Sequence, residues 1–167
     1  MKRDESFVHV AVRRALKQRD WKLAAGQYPG GSDDECYALN VVDPSLACDN
    51  SPDPRRHSDN KLVPDLFALK TPLVLVTEMK PQYSAADESK LVSLLTDRRE
   101  HLHAAMNKFG CERGVNEFCK PEELVLIPAL GFLAGSSYPQ RDDFVYFLVD
   151  SLNEVKIIVP EKYAKGF

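Results

Sequence analysis

Residues 62–81 read LVPDLFALKTPLVLVTEMKP. Aliphatic and β-branched residues run on both sides of Lys70-Thr71-Pro72, which predicts a β-hairpin turning there. Its second strand is apolar on both faces, Leu73, Leu75 and Thr77 on one and Val74 and Val76 on the other, and so reads as a central strand. Three charges interrupt the run: Asp65, Glu78 and Lys80. Side chains alternate along a strand, so Glu78 and Lys80 leave by the same face. With an even-numbered loop centred on Lys70 and Thr71, Leu69 faces Pro72 and Asp65 faces Val76. Asp65 then shares a face with Glu78, as a diagonal neighbour about 7–8 Å away. An odd-numbered loop would send Asp65 to the other face.

Two carboxylates converging in a partly buried place repel each other and resist desolvation unless a counter-charge sits between them. An oxygen-loving dication, Mg²⁺ or Mn²⁺ in its stead, satisfies them. A lysine two residues on can then orient a water and stabilise charge growing on a phosphate. Those are the parts needed to hydrolyse a phosphodiester.

Elsewhere, Val8, Ala11, Val12, Ala15 and Leu16 recur at helical spacing, predicting an amphipathic helix from Asp4, its N-cap, to about Leu23. The turn cluster GQYPGG follows, then a short strand at CYALNVV and a long loop at about 43–60. Ser84 and Asp87 open a second helix that closes on Gly110, with Leu91, Leu95, Leu102, Ala105 and Phe109 as its apolar stripe. LVLIPALGFL reads as a buried strand bent or ended by Pro128, and FVYFLVD and VKIIV as a closing hairpin. The expected order is helix, three strands, helix, strand and hairpin, an α/β fold in one domain over 1–167.

The chain has 167 residues, 44% of them hydrophobic, and a formal net charge of −3, which argues against a non-specific nucleic-acid binder. Cys36, Cys48, Cys111 and Cys119 show no C-x-x-C spacing and read as reduced structural thiols. With no membrane-length apolar run and no apolar leader core, the expectation is a cytoplasmic protein that does not engage a membrane.

The hairpin's charged residues resemble the signature of the PD-(D/E)xK nuclease superfamily. Pro64 and Asp65 match the PD, twelve residues intervene, and Glu78, Met79 and Lys80 match ExK at the end of an apolar strand. A second match, Glu88-Ser89-Lys90, falls in the first turn of a helix, where residues two apart diverge around the axis. The resemblance implies a restriction-endonuclease-like mixed sheet with flanking helices. It also implies Asp65, Glu78 and the Met79 carbonyl as ligands of Mg²⁺, and Lys80 as the residue that orients water. Many members add an acid from the first helix. Glu5, on the stripe of Val8 and Val12, fits that role better than Asp4. The activity implied is a DNA endonuclease, restriction-type first, although the motif does not separate DNA from RNA. The stretch FVHVAVRRALKQRDW resembles the first helix of small excision-controlling factors of mobile elements. It carries the alternative, a catalytically silent or partner-activated DNA-binding factor on the same fold.

Nucleic acid would meet the basic residues of the two helices, among them Arg13, Arg14, Lys17, Arg98 and Arg99, with Gln82 just past the triad. Arg55, Arg56 and His57 in the long loop are further base-reading candidates. His9 reads as a packed or solvent-facing helix residue, and Trp21 as a core anchor. A chain this short has little room for a separate recognition domain, so a homodimer or a partner protein is expected.

Overall fold

The computed structural model describes residues 2–31, 33–45 and 61–167. Arg55, Arg56, His57 and Cys48 lie outside the described residues.

Helix α1 (Glu5–Lys17) begins as expected, with the Asp4 carboxylate accepting the Phe7 N–H at 3.2 Å. It stops six residues short of the expected Leu23. Asp20 takes a left-handed conformation (φ 63°), and the Trp21 N–H returns to the Leu16 carbonyl, closing the helix as a glycine normally would. The chain then runs straight into β1 (Lys22–Gly26), a strand the helical periodicity had concealed. CYALNVV supplies core residues Leu39 and Val41, but only β2 (Val41–Val42) is extended and paired, in a small ribbon with β3 (Lys61–Leu62).

The hairpin is β4 (Leu66–Lys70) and β5 (Leu73–Met79), joined by a two-residue turn at Thr71 and a cis Pro72. The turn is even, as the shared-face geometry requires, but it is centred one residue later than expected, on Thr71 and Pro72, so each residue of β4 faces one two positions further on. Phe67, not Asp65, faces Val76, and Leu66 faces Thr77. Continued by one residue, the register brings Asp65 directly opposite Glu78.

The expected long helix is two, α2 (Ala85–Leu95) and α3 (Arg99–Arg113). The Ser84 hydroxyl caps the first through the Asp87 N–H, as its sequence foretold. At the break, the Thr96 hydroxyl bonds the Val92 carbonyl, and the Arg98 guanidinium turns to Asp43. The apolar stripe spans the break because both helices pack on the same sheet face. Gly110 lies inside α3, which ends instead at left-handed Gly114. Strand β6 (Val125–Leu133) runs through Pro128, and β7 (Val145–Ser151) and β8 (Glu154–Ile158) form the closing hairpin. Proline is tolerated because β7 joins only from Ala129 onward, leaving β6 an edge at that point.

Among the described residues the chain is an α/β protein with three α-helices and a six-stranded mixed sheet in the order β1-β4-β5-β6-β7-β8. Pairs β5–β6 and β6–β7 are parallel and the rest antiparallel. All seven residues of β5 are buried. Phe7, Val8, Val12 and Leu16 of α1 cover one face with Leu66, Leu75 and Met79. On the other face Leu91, Leu94, Leu102, Met106 and Phe109 meet Phe67, Val74, Val76 and Leu130. Trp21 is buried and stacks at 4.9 Å on Phe167, the anchor role expected of it. No helix among the described residues is long and apolar enough to cross a membrane.

Helix α1 approaches β6 at Gly131, where an added Cβ would stand 3.1 Å from both Met79 Cγ and Val12 Cγ2. Gly131→Val should therefore push α1 off the sheet and lower stability by about 1–3 kcal/mol, read as a reduced urea midpoint.

Candidate metal centre

The open end of the hairpin, away from the Thr71-Pro72 turn, gathers side chains from α1, β5 and α2. Asp65 emerges one residue before β4, and its Oδ2 accepts the Met79 N–H at 2.7 Å, which fixes the carboxylate against the end of β5. The Asp65 carbonyl accepts from Gln27, and the neighbouring backbone can come this close because residue 26 is glycine. A Cβ there would lie 2.8 Å from the Asp65 oxygen. Burial raises the Asp65 pKa to about 6, against the pull of the Met79 N–H and of Lys90 and Lys80.

Glu78 is 3% exposed. Burial and then the Asp65 charge raise its pKa to about 8, opposed by Lys90. Lys90, on α2, holds its Nζ 2.6 Å from Glu78 Oε1 as an ion pair of poor hydrogen-bond alignment, and donates to the Val63 carbonyl at 3.1 Å. Lys80 departs from the strand and donates to Glu5 Oε1 at 2.8 Å. Burial draws the Lys80 pKa down, but Glu5 and Asp65 outweigh it and leave it raised, so Lys80 is an ammonium at neutral pH.

His9 lies one turn beyond Glu5 on the same face of α1 and is fully buried. Its Nε2 stands 3.7 Å from Asp65 Oδ2, beyond hydrogen-bond reach, and neither ring nitrogen has a partner. Burial, then the charges of Arg13 and Lys80, lower its pKa to about 4, so the imidazole is neutral. Among the described residues, Glu5, His9 and Asp65 form a group whose donor atoms lie within 4.8 Å of one another. Glu78 stands outside that group.

The expected site residues thus separate. Asp65, Glu78, Met79, Lys80 and Glu5 meet at one end of β5. Arg13 is buried, bonded to Asp33 at 2.7 Å and stacked 4.0 Å from the Tyr28 ring, so it braces the 27–36 segment instead of facing solvent. Arg14 bonds Asn153, Lys17 pairs with Glu35, and Arg98 pairs with Asp43. Gln82 and Arg99 are exposed.

Sequence reasoning missed His9 and Lys90. Each had a signal: a titratable residue on an apolar helix stripe, and a lysine on the helix directly after the ExK strand. Lys90 belongs to the Glu88-Ser89-Lys90 match, whose residues do diverge. Glu88 accepts from the Tyr83 hydroxyl while Lys90 reaches Glu78.

No protein-family profile, curated protein or solved structure matches the chain.

Both buried acids bind a proton more tightly folded than unfolded, so their contribution to stability is greatest at acid pH. It declines as pH rises from the ordinary carboxylate range, about 4, through about 6 for Asp65 and about 8 for Glu78. In chelator, Glu78→Gln should flatten that decline and be more stable than the unmodified chain at pH 8–9. Urea melts across pH would expose the error if the two curves ran parallel.

Proposed function

We propose that this protein is a divalent-cation-dependent nuclease of the restriction-endonuclease-like type, hydrolysing phosphodiester bonds in DNA. The observation that carries the reading is the meeting of Asp65, Glu78 and Lys80 with Glu5 at the end of a buried central strand. Helix, antiparallel strands, helical crossover and parallel strand follow in the order the resemblance implies.

The residues fit a dication. Asp65, Glu5 and His9 converge, and the buried imidazole has no protein partner. The resemblance implies Asp65, Glu78 and the Met79 carbonyl as ligands of the ion; Asp65 converges instead with Glu5 and His9, and Glu78 stands outside that group. A bound cation supplies positive charge to a phosphate oxygen and acidifies a coordinated water. The Met79 N–H keeps Asp65 aimed. Lys80, a stable ammonium, serves as charge and hydrogen-bond donor to water and phosphate, not as a base. Glu5 holds that ammonium beside Asp65 at rest.

A groove of about 540 Å³ between α3 and the β2–β3 ribbon is lined by Lys61, His101, Lys108 and Arg113. Glu112 also lines it; β3 ends three residues before Asp65 in the chain, and the two lysines and the arginine would suit a phosphate backbone.

A second reading, a catalytically silent or partner-activated DNA-binding factor, is favoured by one feature. Glu78 and Glu5 each already have a lysine, so much of the site's charge is compensated internally.

Supercoiled, single-stranded, branched and phage DNA in Mg²⁺ or Mn²⁺ separate the two readings. Cutting that chelator stops and Lys80→Ala slows by about 100-fold or more is the expected result. Discrete fragments would mark a restriction-type enzyme. Intact DNA throughout, with Mn²⁺ still bound, would transfer the assignment to the silent factor.

A further inference from the structure

We propose that the resident cation sits on Glu5, His9 and Asp65, an imidazole and two carboxylates, and is therefore a first-row transition dication such as Mn²⁺ in preference to Mg²⁺. In this arrangement Glu78 remains on Lys90, outside the coordination set. The proposal rests on the cation-binding half of the nuclease reading, not on cleavage.

Three observations carry it. First, these three residues offer donor atoms within 4.8 Å of one another. Glu5 and His9 are one helical turn apart, so one rigid element presents both to Asp65. Second, His9 is fully buried with both ring nitrogens unpartnered. Buried polar groups are almost always paired, and a nitrogen 3.7 Å from Asp65 Oδ2, with a second carboxylate in the same group, stands at a ligand position. The imidazole is shielded from bulk solvent, with the Tyr28 ring centred 5.6 Å away. Third, Glu78 stands outside this group of donors, beside Lys90 on α2, whereas Glu5 lies within it and would exchange Lys80 for the ion.

The choice of ion follows from the donors. Mg²⁺ takes oxygen ligands and keeps much of its water, whereas imidazole suits the transition dications, whose affinity rises from Mn²⁺ toward Co²⁺. Asp65 also has the outer support expected of a ligand, the Met79 N–H at 2.7 Å.

Mn²⁺ is the probe, titrated by electron paramagnetic resonance into the unmodified chain, His9→Gln and Glu78→Gln, with far-ultraviolet circular dichroism confirming that each is folded. The expected results are one tight Mn²⁺ site and a nitrogen hyperfine coupling from the bound ion. A large excess of Mg²⁺ should be needed to displace it, and Co²⁺ should bind more tightly still. His9→Gln should abolish the coupling and weaken binding by at least about tenfold. Glu78→Gln should retain both. Bound Mn²⁺ without nitrogen coupling, lost in Glu78→Gln but kept in His9→Gln, would overturn the proposal and leave the nuclease reading standing on the other ligand set. Nitrogen-coupled Mn²⁺ in a protein that cuts nothing would uphold it while removing the nuclease. Absence of any Mn²⁺ binding would overturn it.

Discussion

The turn between β4 and β5 contains two residues, and the site depends on that parity. Side chains alternate, so an even turn sends Asp65 and Glu78 to one face and an odd turn would separate them by the thickness of the sheet. The centring of the turn on Thr71 and Pro72 then sets how closely they stand: opposite each other, not diagonal. Because β5 is buried along its whole length, both acids are withdrawn from water at the point where they approach, and burial is the largest influence on each. Asp65 is held by a backbone N–H and Glu78 by a lysine from another helix, so the pair is tied to opposite sides of the hairpin's end.

This division gives the two acids different energetic characters. Glu78 is buried beside Lys90, whose charge opposes the effect of burial without overcoming it. Asp65 is steadied by a neutral N–H and faces a neutral imidazole, so charge has been removed from its surroundings without being balanced. Lys90 and Lys80 both draw on Asp65, yet Glu78 and Glu5 engage them directly. The residual demand for positive charge therefore falls on the α1 side of the hairpin, not on the α2 side where the second acid of the motif lies.

Much of this was readable from residue order. The hairpin, the two helix caps at Asp4 and Ser84 and the closing hairpin are local matters, decided by residues within a few positions of one another, whereas the sequence left the parity of the turn open. What escaped was decided at longer range or by exceptions to local preference. Aspartate in a left-handed conformation closes α1, so no glycine announced the start of β1. The break at Thr96–Arg98 hid behind an apolar stripe that continues across it. At the site, Asp65, Glu78, Lys80 and Glu5 were identified by spacing and resemblance. His9 and Lys90 were not, because their significance lies in what they meet, and His9 to Asp65 is a contact across 56 positions. Arg13 erred the other way: a cation on a basic stretch, it is buried by Asp33 and Tyr28, partners its own neighbourhood did not reveal.

Strand β5 is also the seam of the sheet, antiparallel to β4 on one side and parallel to β6 on the other. The chain leaving its carboxyl end must cross over to reach β6, and it does so through α2 and α3 on one face while α1 occupies the other. The candidate site lies at that carboxyl end, the end at which open α/β sheets usually bind ligands. Its location is thus a property of the winding of the chain, and its character a property of six side chains, at positions 5, 9, 65, 78, 80 and 90, gathered there. Exchanging those side chains re-equips the end of the sheet without rewinding the fold, so proteins of this architecture can keep their shape while differing in what they bind.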